Sequence, residues 1–554
     1  MPSISRLPFR TRRTRLVAQL ALCALATNSG LAAANAFDFF DFRFKASAPS
    51  KFADNCNGVP QTGNLFKNSE VEPYIAANPR NPLNLVGAWH QDRWSNGGAQ
   101  GIGTGVSFDG GVTWKQSYLP FSRCAGGTAA NGGDYNRASD PWVSFSPNGV
   151  VHQMALVVSG EAFESNGVSA MLATRSTDGG RTWSPNATLI RDAGSQFFND
   201  KNAITADPTD SRYVYAVWDR LVDVGGGPTL LARSIDNGKT WEPTKTIYDP
   251  GPTTQTIGNQ IVVLPSGIVV NLFTQIDQNT GASFYAIIRS TDKGQTWSQP
   301  VKIADDLSIG AKDPENGTAI RDGAGIGSIA VGKKGQLYVT WADARFSAGA
   351  RDGIAFSSSQ DGGLSWSAPV QINREPGVQA FTPIVHVRQD GTIGITHYDL
   401  RSNTPDPANL PTDYWLLRSK DGGNTWRESR VTGPFDLSTA PIARGLFLGD
   451  YQGLTSIGPI FVPFFVQTTG DLNNRNDVFS NLAISIGRAN SSSGALKRGE
   501  EAEDKAPAMA AKETTGALEM TAEMQQKLKD KTTLMMQRRV DRWDAVIQRR
   551  TLGK

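Results

Sequence analysis

Short apolar runs separated by polar, glycine-containing clusters recur from Glu70 to Gly487. Runs such as Leu85 to Trp89 (LNLVGAW in context) are too short for helices, so they predict strands joined by turns. The pattern repeats as a unit: an apolar strand, a second ending in a polar cluster, then a hairpin. In the first unit strands are expected at Tyr74 to Ala77, Leu85 to Trp89 and Gly101 to Ser107, with a fourth from Trp114. Later units open at Asp140-Pro141-Trp142, Asp200-Lys201-Asn202, Gly258-Asn259-Gln260, near Gly327-Ser328-Ile329, and at Thr382-Pro383-Ile384.

The hairpin of each unit carries one phrase: SFDGGVTW, STDGGRTW, SIDNGKTW, STDKGQTW, SQDGGLSW and SKDGGNTW. Its aspartates, Asp109, Asp178, Asp236, Asp292, Asp361 and Asp421, are 69, 58, 56, 69 and 60 residues apart. Repetition at that period means one supersecondary unit stacked many times, since no single unit can bury its own apolar face. An Asp in a tight turn accepts bonds from the backbone N–H groups just after it. Gly supplies the positive φ, and Trp packs on the strand leaving the turn. All of this is hairpin construction, so none of these aspartates is expected to be catalytic.

A seventh unit starts at Gly449 (GDYQGLTSIGPIFVPFFV) and ends in DVFSNLAISIG without the phrase. It lacks an outer strand, and the alternating Phe37 to Lys45 (FDFFDFRFK) is suited to supply it. That would close a ring and remove an open edge.

The phrase is the Asp-box, and the chain resembles the sialidase-like (neuraminidase) superfamily of Asp-box, or BNR-repeat, proteins. The resemblance implies an all-β fold, an Asp-box β-propeller, over about Glu70 to Gly487. Seven units imply seven blades. Sialidases have six, so a six-bladed ring with a shared last blade stays open. The superfamily holds sialidases and other glycosidases beside proteins without known catalysis, so the repeat constrains fold more than function.

The ends read differently. Arg10, Arg12, Arg13 and Arg15, the apolar Leu16 to Ala26 and Ala34-Asn35-Ala36 make residues 1–36 look like a cleavable export signal, implying secretion or a periplasmic location. Residues 37–69 form an N-terminal segment, 70–487 the repeats, 488–515 a linker, and 516–554 a charged helical tail that could meet a protein partner. Cys56 and Cys124 would remain after signal removal, as one disulfide or as two thiols. A net charge of +3 over 554 residues offers no basic stripe for nucleic acid. No other apolar run is long enough to span a bilayer. No cofactor or metal is expected, because three scattered cysteines and four histidines make no Cys/His zinc site.

In a propeller the starts of first strands and the ends of second strands share one face. The starts offer Glu72, Asp140, Asp200, Asp450 and Tyr451. The ends offer carboxylate–arginine pairs at Asp92-Arg93, Asp219-Arg220, Asp343/Arg345 and Asp399/Arg401. Each pair either holds its own loop or meets a ligand. By resemblance to sialidases, Tyr451 in GDYQGL stands at the nucleophile position and Asp92 in HQDR at the acid/base position. Glu72, Arg93, Asp140, Asp200, Arg220, Arg345, Arg401, Arg444 and Asp450 are the expected substrate contacts, with Arg345, Arg401 and Arg444 as candidates for the other two members of the family's carboxylate-binding arginine triad, whose first arginine belongs to the Arg-Ile-Pro motif. The family's Arg-Ile-Pro motif is missing, and Glu72-Pro73-Tyr74 takes its place. A glutamate there repels the carboxylate that arginine would grip. The implied function is therefore a glycoside hydrolase acting on exposed glycans other than sialic acid, or a non-catalytic propeller binding glycan or protein.

Overall fold

Third strands end on the first serine of the Asp-box: Ala99–Ser107, Val168–Ser176, Thr229–Ser234, Ser283–Ser290, Gly353–Ser359 and Pro411–Ser419. In the second box, Ser176 Oγ donates to Asp178 Oδ1 (2.7 Å) and accepts from Gly180 N (2.9 Å). Asp178 Oδ1 takes the N–H groups of Arg181 and Thr182, both at 2.9 Å, and Oδ2 takes the Thr182 hydroxyl at 2.6 Å. The Trp183 indole donates to Gly180 O at 3.1 Å. The same bonds from the serine and the Thr/Ser hydroxyl recur at the other five aspartates. Gly180 has φ +95°, and a Cβ there would meet Val86 Cγ2 of the first unit at 2.9 Å. The box therefore needs glycine both for its turn and for its approach to the preceding sheet.

Burial opposes ionisation of Asp178, but the Thr182 and Ser176 bonds outweigh it and hold its carboxyl at about 2. A folded value below the unfolded one of about 3.9 stabilises above pH ~4 and is lost as pH falls through about 2. Asp178→Asn is expected to lower Tm at pH 7 and to flatten the decline of Tm between pH 4 and 2. An acid limb as steep as the wild type's would show that the box carboxyl is not the sensitive group.

The structure is a computed structural model that describes residues 43–483. The expected signal, linker and tail helix lie outside these residues, as do residues 37–42 of the alternating segment. Among the described residues the fold is all-β: five four-stranded antiparallel sheets, one nine-stranded sheet that holds the first two repeat units, and a two-stranded parallel pair. The first strands of the seven repeat units are Val71–Asn78, Arg137–Phe145, Phe197–Ala206, Thr254–Val263, Ser328–Val331, Ala380–Val387 and Gly453–Ile457. Each lies against the next in that order, and the last lies against the first. In the seventh unit the outermost strand is Arg43–Lys45, antiparallel to Asn474–Asn481 with Arg43 opposite Asn481. The seam is also stapled by the first Asp-box, whose Trp114 indole donates to Ser480 Oγ at 2.9 Å.

The core lies between neighbouring sheets. Trp89, Trp218 and Trp341, on the second strands of units one, three and five, are fully buried. Each indole N–H has an acceptor: Gln91 Oε1 (3.4 Å), Asn199 Oδ1 (2.8 Å) and Asp343 Oδ2 (2.6 Å) respectively. Buried indoles without such partners would forfeit much of their packing gain. Cys56 and Cys124 form a disulfide that ties the N-terminal segment to the loop after the first unit.

Candidate functional site

Five first strands share an irregularity. Their register slips between Val71 and Tyr74, Ser139 and Trp142, Asp200 and Ala203, Ile257 and Gln260, and Phe381 and Ile384. Each slip contains one residue of positive φ: Glu72, Asp140, Lys201, Gly258 and Thr382. Such a bulge re-aims a side chain out of the strand's alternation, and for a non-glycine residue it stores about 1–3 kcal/mol of strain.

Three of these re-aimed side chains meet. Lys201 Nζ lies 3.4 Å from Glu72 Oε1, 3.7 Å from Asp140 Oδ1 and 2.5 Å from Asp450 Oδ2. Arg321 closes the other side of Asp450 with a two-pronged grip, its Nε 2.8 Å from Oδ1 and its second nitrogen on Oδ2. Arg321 comes from a two-residue strand, Ile320–Arg321, paired in parallel with Leu446–Phe447, and its guanidinium lies 4.3 Å from the Phe447 ring centroid. Arg93 lies 5.3 Å from the same ring and donates to Gly98 O. His90 Nε2 is 3.0 Å from Glu72 Oε2, 4.0 Å from Asp140 Oδ1, and accepts the Asp140 N–H at 2.8 Å.

Burial and charge pull these groups in opposite directions. Burial would raise Asp450, but Arg321 and Lys201 outweigh it and hold it well below the usual carboxylate range. Burial would lower Lys201, and Asp140, Asp450 and Glu72 push it well above its usual value instead. Burial lifts Asp140 above the ordinary range and drives His90 well below its own. Asp219 faces Asp200 directly across the second-strand pairing, is fully buried, and has no partner from another residue on either oxygen. Desolvation and the neighbouring Asp200 push it well above the usual range.

Tyr451 joins this cluster from the seventh unit. Its ring packs edge-on to Trp142 (5.2 Å) and Tyr74 (6.3 Å), and its hydroxyl donates to Pro141 O at 3.3 Å. It is 7% exposed, and burial beside Glu72, Asp140 and Asp450 raises its ionisation well above the usual range. Asp92 stands apart from it. Asp92 is 0% exposed, and its oxygens accept from Ser50 Oγ (2.5 Å), Asn68 N (2.8 Å) and Gln100 Nε2 (2.8 Å). The two residues expected to act together share no partner; the N-terminal segment covers one of them.

The four expected carboxylate–arginine pairs divide in two. Arg345 binds Asp343 at 2.7 Å and Arg401 binds Asp399 at 2.6 Å, so both arginines hold their own loops. Arg220 turns from Asp219 to Asp192 (2.5 Å), and Arg93 turns from Asp92. Adjacent residues on a strand point to opposite faces, whereas residues two apart share one, which is why only the spaced pairs form. Arg444 is exposed, with φ +64°, just before Leu446–Phe447. Asp200 is half-buried beside Lys201 N, 3.0 Å away. His90, Lys201 and Arg321 were not among the expected site residues. For Lys201 a signal existed in the bulge dipeptides Glu-Pro, Asp-Pro, Lys-Asn, Gly-Asn and Thr-Pro at matching strand starts. Two depressions of about 280 Å³ flank Phe108, beside Arg80 and Arg181 and beside Asp109 and Lys115, but they gather no comparable set of titratable groups.

Residues 278–444 match the BNR repeat-like domain family. The chain is similar to a xyloglucanase of Paenibacillus sp. (26% identical over 275 residues, 46% of this chain and 23% of that protein). It is also similar to a sialidase of Bacteroides fragilis (23% identical over 320 residues, 53% of each). The chain thus spans about a quarter and about half of the lengths of these curated relatives. Among solved structures, a Hadza microbial sialidase aligns over 73% of this chain and 74% of its own at 16% identity, with a TM-score of 0.43. No helix of the described residues is long and apolar enough to cross a membrane. With six complete Asp-boxes, and with residues 278–444 matching the BNR repeat-like domain, the chain is similar to the sialidase-like, BNR-repeat superfamily.

Proposed function

We propose that the chain is an exported, seven-bladed propeller and a sialidase-like glycoside hydrolase, acting on exposed glycans other than α-sialosides. The observation that carries this reading is the convergence of Glu72, Asp140, Lys201, Arg321, Asp450 and Tyr451, drawn from distant parts of the chain, onto one point of the ring. Cyclic contact of seven first strands supports the blade number, and the signal-like residues 1–36 support export. A xyloglucanase and a sialidase among the relatives support the reaction class. In this reading the Tyr451 hydroxyl oxygen attacks the anomeric carbon as the glycosidic bond breaks, and its proton passes to whichever of Glu72 and Asp140 is ionised. A carboxyl of the cluster, Glu72 or Asp140 rather than the enclosed Asp92, protonates the leaving oxygen, and water then releases the sugar. The tail at 516–554 is read as a helical arm for a protein partner.

Glu72 in place of the motif arginine supports the exclusion of sialic acid. Purified protein is expected to release no product from an aryl α-sialoside while turning over at least one neutral aryl glycoside of a panel. Robust sialoside turnover would mean that another cation, with Arg321 the nearest candidate, grips the carboxylate.

A second reading, a glycan-binding propeller without turnover, is favoured by one observation. Tyr451 and Asp92, the two groups a sialidase would use, are buried and already hydrogen-bonded. Saturable glycan binding with no release across the whole panel would favour it.

A further inference from the structure

The cluster is out of charge balance. Five carboxylates (Glu72, Asp140, Asp200, Asp219 and Asp450) lie within electrostatic reach of three cations, Lys201, Arg321 and Arg93, leaving an excess of two negative charges. Buried charge without compensation is costly, and either protons on Asp140 and Asp219, whose carboxyls burial lifts, or one divalent cation would offset that excess.

Geometry gives the cation a place. Glu72, His90 and Asp140 present three ligand atoms that all lie within 4.8 Å of one another, each from a buried side chain. Glu72 Oε2 makes no hydrogen bond and lies 3.0 Å from His90 Nε2. His90 Nε2 is 4.0 Å from Asp140 Oδ1. Donors about 2.1 Å from one tetrahedral ion sit roughly 3.4 Å apart, between those two separations.

We propose that Glu72, His90 and Asp140 bind one divalent metal ion where the first and second units meet; the site shares Glu72 and Asp140 with the hydrolytic reading, and its test reads metal binding rather than turnover. One imidazole and two carboxylates suit a first-row ion such as zinc or manganese better than calcium, which takes six to eight oxygens. Lys201 can remain on Asp450, its 2.5 Å partner, and yield its longer contacts to Glu72 and Asp140. His90 Nε2 exchanges the Asp140 N–H for the ion. The strained bulges at Glu72 and Asp140 then have a purpose, because they aim two ligands from neighbouring units at one point.

The test uses the untagged full chain, stripped with a chelator and dialysed into metal-free buffer at pH 7. Calorimetric titration with zinc chloride, and separately with manganese chloride, is expected to give about one ion per chain for at least one of the two. Micromolar or tighter affinity and a raised Tm should accompany it, with calcium chloride at least tenfold weaker. The near-isosteric Glu72→Gln and Asp140→Asn variants, and His90→Gln, should each weaken binding at least tenfold. Should one variant fail to fold, the near-ultraviolet dichroism of the others identifies those that report on the site. Absence of zinc and manganese binding by the wild type would overturn the proposal in favour of two bound protons. Undiminished binding by folded variants would place the ion elsewhere and overturn it equally.

Discussion

Asp450→Asn is expected to destabilise the folded protein by about 3–5 kcal/mol, because it strips two buried cations of their shared counter-ion. Lys201 reaches Asp450 at 2.5 Å, and Arg321 grips both of its oxygens. Asp450 is 6% exposed, so water cannot replace what the carboxylate supplied. Glu72 and Asp140 remain near Lys201, but at 3.4 and 3.7 Å, and each already serves His90 or its own turn. The comparison that gives the number meaning is Asp210→Asn. That residue pairs with the largely exposed Arg212 at 2.7 Å and should cost less than about 1 kcal/mol. Denaturant unfolding of both variants at one pH measures the difference. Equal effects would show that the cluster is solvated in solution and that its ion pairs are no stronger than surface ones.

The second large effect concerns turnover. Tyr451→Phe removes one hydroxyl whose bond to Pro141 O, at 3.3 Å, is long, so folding should lose no more than about 1.5 kcal/mol. The ring keeps its packing on Trp142 and Tyr74. Turnover of whichever glycoside proves to be a substrate should fall at least 10²-fold if the oxygen is the nucleophile, while binding of that glycoside persists. Unchanged kcat in an active preparation would make Tyr451 a packing residue and move the nucleophile to one of the carboxylates. Unfolding would show that its buried hydroxyl holds the seam between the second and seventh units.

Much of this arrangement was legible from residues alone. The Asp-box reports its own turn because all its bonds are local: Asp178 is satisfied by atoms at most four residues away. Strand starts and the antiparallel units followed from apolar runs between boxes. What could not be read were bonds made across the ring. Lys201 looks like a surface residue in Asp-Lys-Asn until a bulge turns it toward Asp450, 249 residues away. Arg321 lies in a connection outside the repeat, with no equivalent position in other units to mark it. His90 carries no local signal, because its partners come from two first strands. The paired motifs misled for a simpler reason: Asp219-Arg220 and Asp343/Arg345 look alike as text, yet strand alternation lets only the second bond to itself.

The outermost strand of the seventh unit also sets a timetable. Ser47 Oγ, just past Lys45, accepts from Val478 N, a partner 431 residues later in the chain. During synthesis at about 5–20 residues per second, the early segment waits on the order of 20–90 s before that partner exists. Until then the first sheet has no seventh-unit neighbour, and the edge at Arg43–Lys45 is free to pair with a neighbouring chain. Cys56 and Cys124 lie only 68 residues apart and can find one another early. The ring therefore closes last, in a single late step, and crowding of nascent chains is the condition under which this protein should misassemble.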